Sequence, residues 1–239
     1  MRDLILRKKN IVIVSHKSPD GDAVGSSLSL KHYLLKLGLD SKVILPDDFP
    51  SFYNWMNGAG DIIIADKSLD IAKEIIAKSD LIFCLDFNDL HRVGDLQDII
   101  EKSDSYKIMI DHHQHPSDFA NHIISRTECC STAQLIYEFI EENNDLDQLD
   151  KIIGEGIYTG IITDSGSFKY SNVESKTHLI TSHLIELGLD HTLIHEKIFD
   201  QNDVTRLHLL GYALNKIEVI EDAPVAFIAL SKKDLNKFN

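Results

Sequence analysis

Short, nearly unbroken apolar runs recur through the first half of the chain, at residues 11–14, 42–45, 62–65, 81–85 and 107–110. Unbroken runs of this length suit parallel strands buried on both faces, because a half-exposed strand would alternate. Between them apolar positions recur at helical spacing over 23–37, 68–78 and 96–102, with Ser68 placed as an N-cap. Residues 49–57, which hold Trp55, read as a short helical or loop segment. This alternation predicts an α/β fold, a mostly parallel sheet with helices on both faces.

Farther along, helices are expected over 131–142, 149–163, 175–187, 191–199 and 205–216, with a polar loop at 143–148 and a joint at 200–203. The segment 149–163 is apolar almost all round, which predicts deep burial. Residues 217–239 change character and read as strand, turn, strand and the start of a helix. Two strands cannot bury themselves. They either dock on the first domain or begin a second α/β domain that the chain does not complete. The expected division is a main domain over 1–188, a helical linker over 189–216 and the incomplete piece over 217–239. No internal repeat or low-complexity tract interrupts this order.

A chain of 239 residues, 43% hydrophobic and 26% charged, is long enough for one large domain or one domain and a smaller piece. It has no run of 18 apolar residues, so no membrane span is expected. Residues 1–9 are charged and lead straight into a strand, unlike a signal peptide, so a cytoplasmic location is expected. Three cysteines, Cys84, Cys129 and Cys130, lack C-x-x-C spacing and argue against a disulfide framework or a cysteine zinc site. A net charge of −14 disfavours long DNA or RNA as a partner. A small anionic substrate remains compatible, because bound cations invert the field inside a cleft.

Candidate chemistry concentrates where apolar runs stop. Residues 15–27 read S-H-K-S-P-D-G-D-A-V-G-S-S and bunch His16, Asp20 and Asp22 around Pro19 and Gly21. Alone, Pro-Asp-Gly is turn chemistry, and no G-x-G-x-x-G fingerprint is present. The other strands end in the same way: 81–85 runs into Asp86, 107–110 into Asp111-His112-His113, and the buried helix into Asp164. Each has a plain reading as a cap or turn residue, but together they fall on one edge, since the C-terminal ends of parallel strands lie side by side. Carboxylates so crowded repel unless cations neutralise them. Two divalent ions resolve the conflict, and oxygen and imidazole donors without thiolates suit Mn²⁺ better than structural zinc.

These residues resemble the DHH phosphoesterases, in the branch of nanoRNases and 3′-phosphoadenosine-5′-phosphate (pAp) phosphatases. The matching stretches are S-H-K-S-P-D-G-D-A-V-G-S, D-F-N-D-L-H-R-V-G, I-D-H-H and G-I-I-T-D-S-G-S-F-K-Y, in that order, and the similarity covers essentially the whole chain. The resemblance implies that His16, Asp20 and Asp86 bind one Mn²⁺ and that Asp22, Asp86, His112 and Asp164 bind another, with Asp86 bridging; Mg²⁺ or Co²⁺ are alternatives. It implies that Asp111 orients a histidine, that His113 contacts the substrate phosphate and serves the leaving group as an acid, and that Arg92 clamps phosphate. Ser131 would contact the substrate at a helix start or simply cap that helix.

The implied function is Mn²⁺-dependent hydrolysis of short oligoribonucleotides or pAp by a water that two metals activate. Alternatives are a pyrophosphatase or exopolyphosphatase on the same scaffold, or a nucleotide-binding module without turnover. Relatives often form homodimers. Two departures stand out: the family's G-G-G-H stretch is absent, and Lys169 stands where several relatives have arginine.

Overall fold

The computed structural model describes residues 1–200 and 204–238. Apart from Asp200, the expected joint at 200–203 lies outside the described residues. Two compact units divide the chain, Met1–Ile194 and His195–Asn239.

In the first unit, the apolar runs become strands β1 (Ile11–Val14), β2 (Ser41–Leu45), β3 (Ile63–Ile64), β4 (Leu81–Leu85) and β5 (Tyr106–Asp111). A further strand, β6 (His122–Ser125), was not anticipated. All pair in parallel, in the order β3-β2-β1-β4-β5-β6. The chain winds outward from β1 through β2 to β3, then returns to β4 on the other side of β1. The direction of winding therefore reverses between β1 and β4, and the crevice beyond their carboxyl ends is where open α/β sheets hold ligands. His16 follows β1 and Asp86 follows β4, so topology alone makes them neighbours.

Seven α-helices belong wholly to this unit: α1 (Arg2–Ile5), α2 (Gly21–Lys36), α3 (Ala65–Ala77), α4 (Gln97–Lys102), α5 (Thr132–Glu142), α6 (Lys151–Asp164) and α7 (Ser175–Glu186). An eighth, α8 (His191–Phe199), contains the division between units. One face of the sheet packs Val12, Val14, Ile82, Cys84 and Met109 against Ala72 and Ile76 of α3 and Ile100 of α4. On the other face Phe83 meets Phe139 of α5 edge-on, and Phe139 meets Tyr33 of α2 likewise. Helix α6 packs deeply, as its pattern predicts: Ile153, Ile157, Ile161 and Ile162 are all buried.

Two local expectations are corrected. The strand at 62–65 shrinks to Ile63–Ile64 because Ala65 already starts α3. Ser68 makes no capping bond at the start of that helix; it breaks the helical backbone inside it, at φ −148° and ψ 48°.

The second unit holds α9 (Val204–Leu214), an antiparallel hairpin of β7 (Ile217–Ile220) and β8 (Val225–Ile228), and α10 (Lys232–Leu235). Its polar anchor is Asp234, which accepts from Tyr212 and Lys216 and caps back onto Ser231. Among the described residues no helix is long and apolar enough to cross a membrane.

Candidate metal centre at the sheet edge

The strand ends deliver their polar residues to one place, and main-chain groups then fix each of them. His16 is buried at the end of β1, with Nδ1 2.8 Å from the Lys17 carbonyl oxygen. That contact makes Nδ1 the protonated nitrogen and leaves the Nε2 lone pair facing Asp86 Oδ2 at 3.2 Å and Asp20 Oδ1 at 3.9 Å. Asp20 caps α2, accepting from the N–H groups of Asp22 and Ala23, and stays half-exposed.

Asp86 is 1% exposed and has a left-handed backbone at φ 64°, unusual for any residue but glycine. Its N–H still pairs with the Ile110 carbonyl at 3.0 Å, so the chain leaves the sheet abruptly and the carboxylate stays at the strand end. Backbone outliers of this kind cluster at functional sites. Thr132 Oγ1 donates to Asp86 Oδ1 at 2.9 Å. Asp22, fully buried in the first turn of α2, accepts the N–H of Thr132 at 2.6 Å and of Ala133 at 2.7 Å. Those are the first N–H groups of α5, so a helix N-terminus faces Asp22 and favours its charge.

Helix α6 contributes Asp164 from its last turn, where the helix dipole disfavours a carboxylate. It reaches the cluster because α6 and α2 pack with almost no side chain between them. A Cβ at Gly25 would lie 2.4 Å from the Gly156 carbonyl oxygen, and one at Gly160 would lie 2.5 Å from Asp22 Oδ1.

His112 tests whether the cluster fits a metal. Its Nδ1 is 3.2 Å from the Cys129 carbonyl oxygen, which again makes Nδ1 the N–H. Its Nε2 is buried without a properly aligned hydrogen-bond partner, 3.2 Å from Asp164 Oδ2, 3.6 Å from Asp86 Oδ1 and 3.9 Å from Asp22 Oδ2. Nε2 can face those three carboxylates only with a proton or a cation between them. Burial alone would lower the His112 pKa, but Asp164, Asp22 and Asp86 outweigh it and push it up to about 10. Burial drives the carboxyls of Asp22 and Asp86 well above the ordinary range; Asp86 and Asp164 add to this at Asp22, and Asp20 at Asp86. Without a metal, then, the cluster takes up protons. Among the described residues the donors His16, Asp20 and Asp86 form one group, Asp22, His112 and Asp164 a second, and Asp86, His112 and His113 a third, the atoms of each within 4.8 Å of one another. All are oxygen and imidazole sets that fit a divalent cation.

The remaining predicted residues divide. Asp111, fully buried at the end of β5, accepts from His113 Nδ1 at 2.8 Å and from the His113 N–H at 3.0 Å. His113 is therefore held with Nε2 free and its ring one-third exposed beside Asp86. The Arg92 main chain is tied to Lys17, the residue after His16, its carbonyl accepting the Lys17 N–H at 2.7 Å. Ser131 is not brought into the cluster: it is fully buried, and its hydroxyl accepts from the Gln134 N–H as the cap of α5. Sequence reasoning missed Thr132 and Ala133, whose start-of-helix position was visible, and the Cys129 carbonyl, which no sequence signal marks.

The sequence model described as "DHH family, N-terminal domain" matches residues 10–161. The chain is 26% identical to a probable bifunctional oligoribonuclease and PAP phosphatase NrnA of Streptococcus mutans, over 96% of this chain and 68% of that protein. It is 24% identical to the bifunctional oligoribonuclease and PAP phosphatase NrnA of Bacillus subtilis, over 95% of this chain and 68% of the relative. Among solved structures it superposes on an exopolyphosphatase-related protein from Bacteroides fragilis with a TM-score of 0.97 and 40% identity, covering 99% of this chain and 70% of that one. The chain thus spans about two thirds of the length of these relatives. Taken with the donor-lined crevice between β1 and β4, these similarities establish that the chain belongs to the DHH family and is a phosphoesterase hydrolase.

Proposed function

We propose that this chain hydrolyses short oligoribonucleotides or pAp with two divalent cations, Mn²⁺ by preference. The observation that carries the reading is two donor groups, one holding buried Asp86, linked where His112 Nε2 of the other lies 3.6 Å from Asp86 Oδ1. The substrate class follows the similarity to oligoribonuclease and PAP phosphatase relatives. His16, Asp20 and Asp86 would hold one cation, and Asp22, Asp86, His112 and Asp164 the other. Bound there, the pair would supply Lewis acidity toward the phosphate and lower the pKa of a water.

The chain's own residues do the rest. The Thr132 and Ala133 N–H groups keep Asp22 in place and favour its charged form. The Thr132 hydroxyl fixes the orientation of Asp86. Asp111 holds the His113 ring by Nδ1, so Nε2 is the atom that carries a proton toward the leaving oxygen. Arg92, whose carbonyl holds the Lys17 N–H, would balance charge on the phosphate oxygens. Cytoplasmic action and homodimerisation go with this reading as further proposals.

A second reading is exopolyphosphatase activity, favoured by the 40% identity to the exopolyphosphatase-related protein. One assay series separates the two: pAp, an RNA dinucleotide and tripolyphosphate, each with Mn²⁺, for the wild type, Asp86→Ala and His112→Ala. Cleavage of pAp or the dinucleotide, abolished in both variants, is the expected result. Cleavage of tripolyphosphate alone favours the second reading, and undiminished variants reject the metal assignment.

A further inference from the structure

Tyr53 closes a single 3₁₀ turn, Ser51–Tyr53, in the segment after β2. Its N–H donates to the Pro50 carbonyl at 3.0 Å, and its carbonyl accepts from the Met56 N–H at 3.0 Å. The ring lies against Phe52, with centroids 4.5 Å apart. The same segment is tied to the loop after β1, where the Ser18 N–H donates to Asp47 Oδ1 at 2.6 Å. So held, Tyr53 is only 4% exposed.

Gly21 shows where the phenol ends. A Cβ there would lie 2.8 Å from the Tyr53 hydroxyl oxygen and 2.5 Å from Thr163 Cγ2. Gly21 stands between Asp20 and Asp22, and Thr163 precedes Asp164, so the hydroxyl lies where the start of α2 meets the end of α6. Asp20 and Asp164 both bear on it: after burial, their charges push the Tyr53 pKa up, and the hydroxyl keeps its proton.

Among the described residues this hydroxyl has no hydrogen-bond partner, although a buried phenol normally finds one. The polar groups around it are committed elsewhere. The Thr163 hydroxyl donates to the Thr159 and Gly160 carbonyls at 3.0 and 3.1 Å, and Asp20 Oδ1 accepts from the N–H groups of Asp22 and Ala23. An unpartnered donor, almost wholly buried, thus faces a cluster made of acceptors. A phosphate drawn there by cations brings oxygens that call for donors. A phenol supplies one without a positive charge that would compete with the cations for the carboxylates.

We propose that the Tyr53 hydroxyl donates a hydrogen bond to a phosphate oxygen of the substrate, making Tyr53 a substrate contact supplied by the segment after β2. This deepens the phosphoesterase reading and rests on it for the placement of a phosphate at the cluster.

The test is Tyr53→Phe, which removes the oxygen and keeps the ring. Melting temperature, Mn²⁺ affinity, the Kd of inorganic phosphate in the presence of Mn²⁺ and kcat/KM for pAp are measured beside the wild type. Because the hydroxyl has no partner within the chain, melting temperature and Mn²⁺ affinity should be unchanged. Loss of a hydrogen bond to a charged oxygen should raise the phosphate Kd about tenfold or more and lower kcat/KM by at least as much. A phosphate Kd equal to that of the wild type overturns the contact. So does a loss of Mn²⁺ affinity that accounts for the whole change, since the hydroxyl would then serve the cation ligands. Absence of pAp turnover in the wild type speaks against the substrate proposed above, whereas the phosphate Kd judges Tyr53 in either case.

Discussion

Replacing Gly160 by alanine probes the packing that brings Asp164 to Asp22. The new Cβ would lie 2.4 Å from Ala133 Cβ, 2.5 Å from Asp22 Oδ1 and 3.2 Å from Asp22 Cα. Ordinary contact begins at 3.4 Å, so α6 must retreat by roughly 1 Å from both α2 and α5. Overpacking of this kind costs about 1–3 kcal/mol. Alanine's better helix propensity offsets up to about 1 kcal/mol of it. The larger effect is on chemistry: a shift of about 1 Å at a catalytic constellation costs on the order of 100-fold in rate. Gly154→Ala is the control on the same helix, since its Cβ would meet Leu184 and Leu189 at 3.5 and 3.8 Å, ordinary distances. Thermal denaturation and Mn²⁺-dependent pAp hydrolysis are measured for both. Gly160→Ala should lose most activity while remaining folded, and Gly154→Ala should keep both activity and stability. Equal activity in the two variants would refute the claim that the α2–α6 approach positions the centre.

Thr132→Val keeps the side-chain shape but removes the hydroxyl that donates to Asp86 Oδ1, leaving a buried acceptor unpaired; metal-free protein should lose about 1–3 kcal/mol by denaturant titration. The pH dependence of the metal-free protein has a fixed sign. Asp22, Asp86 and His112 all have folded-state pKa values above their ordinary ones, so the folded state binds more protons than the unfolded chain. The two carboxyls stabilise fully below the ordinary carboxylate range and progressively less as pH climbs through their raised values. His112 adds stability that is present below its ordinary 6.5 and lost as pH rises toward about 10. Melting temperature without metal should therefore fall from pH 6 to pH 9, and the gain from added Mn²⁺ should grow; a metal-free protein that becomes more stable over that range contradicts the assigned environments.

What could be read from the sequence follows from how each residue is held. β1, β4 and the Ile108–Ile110 run of β5 were plain because strands buried on both faces are apolar, and the polar residues at or just past their ends, His16, Asp86 and Asp111, stood out against that background. β6 escaped notice because an edge strand needs no such purity: His122 and Ser125 flank only two isoleucines, and none of its four residues is fully buried. Asp164 was visible as the polar stop to an apolar helix. The reason it reaches Asp22 was not, since it lies in glycines that matter only once two helices are known to cross. Ser131 closes the α5 cap, the plain reading the sequence offered for it, while Thr132, which no sequence pattern singled out, turns its hydroxyl to Asp86. Main-chain donors and acceptors, including the Cys129 carbonyl that fixes His112, carry no sequence signature at all.

The most direct measurement is the number of Mn²⁺ ions bound per chain, titrated calorimetrically in the wild type, Asp164→Ala and Asp86→Ala. Two ions are expected in the wild type, one in Asp164→Ala, and none held tightly in Asp86→Ala, whose carboxylate both cations would share under the proposed assignment. A wild type that binds no Mn²⁺, or an Asp86→Ala protein that binds it as the wild type does, would contradict a centre built around that residue.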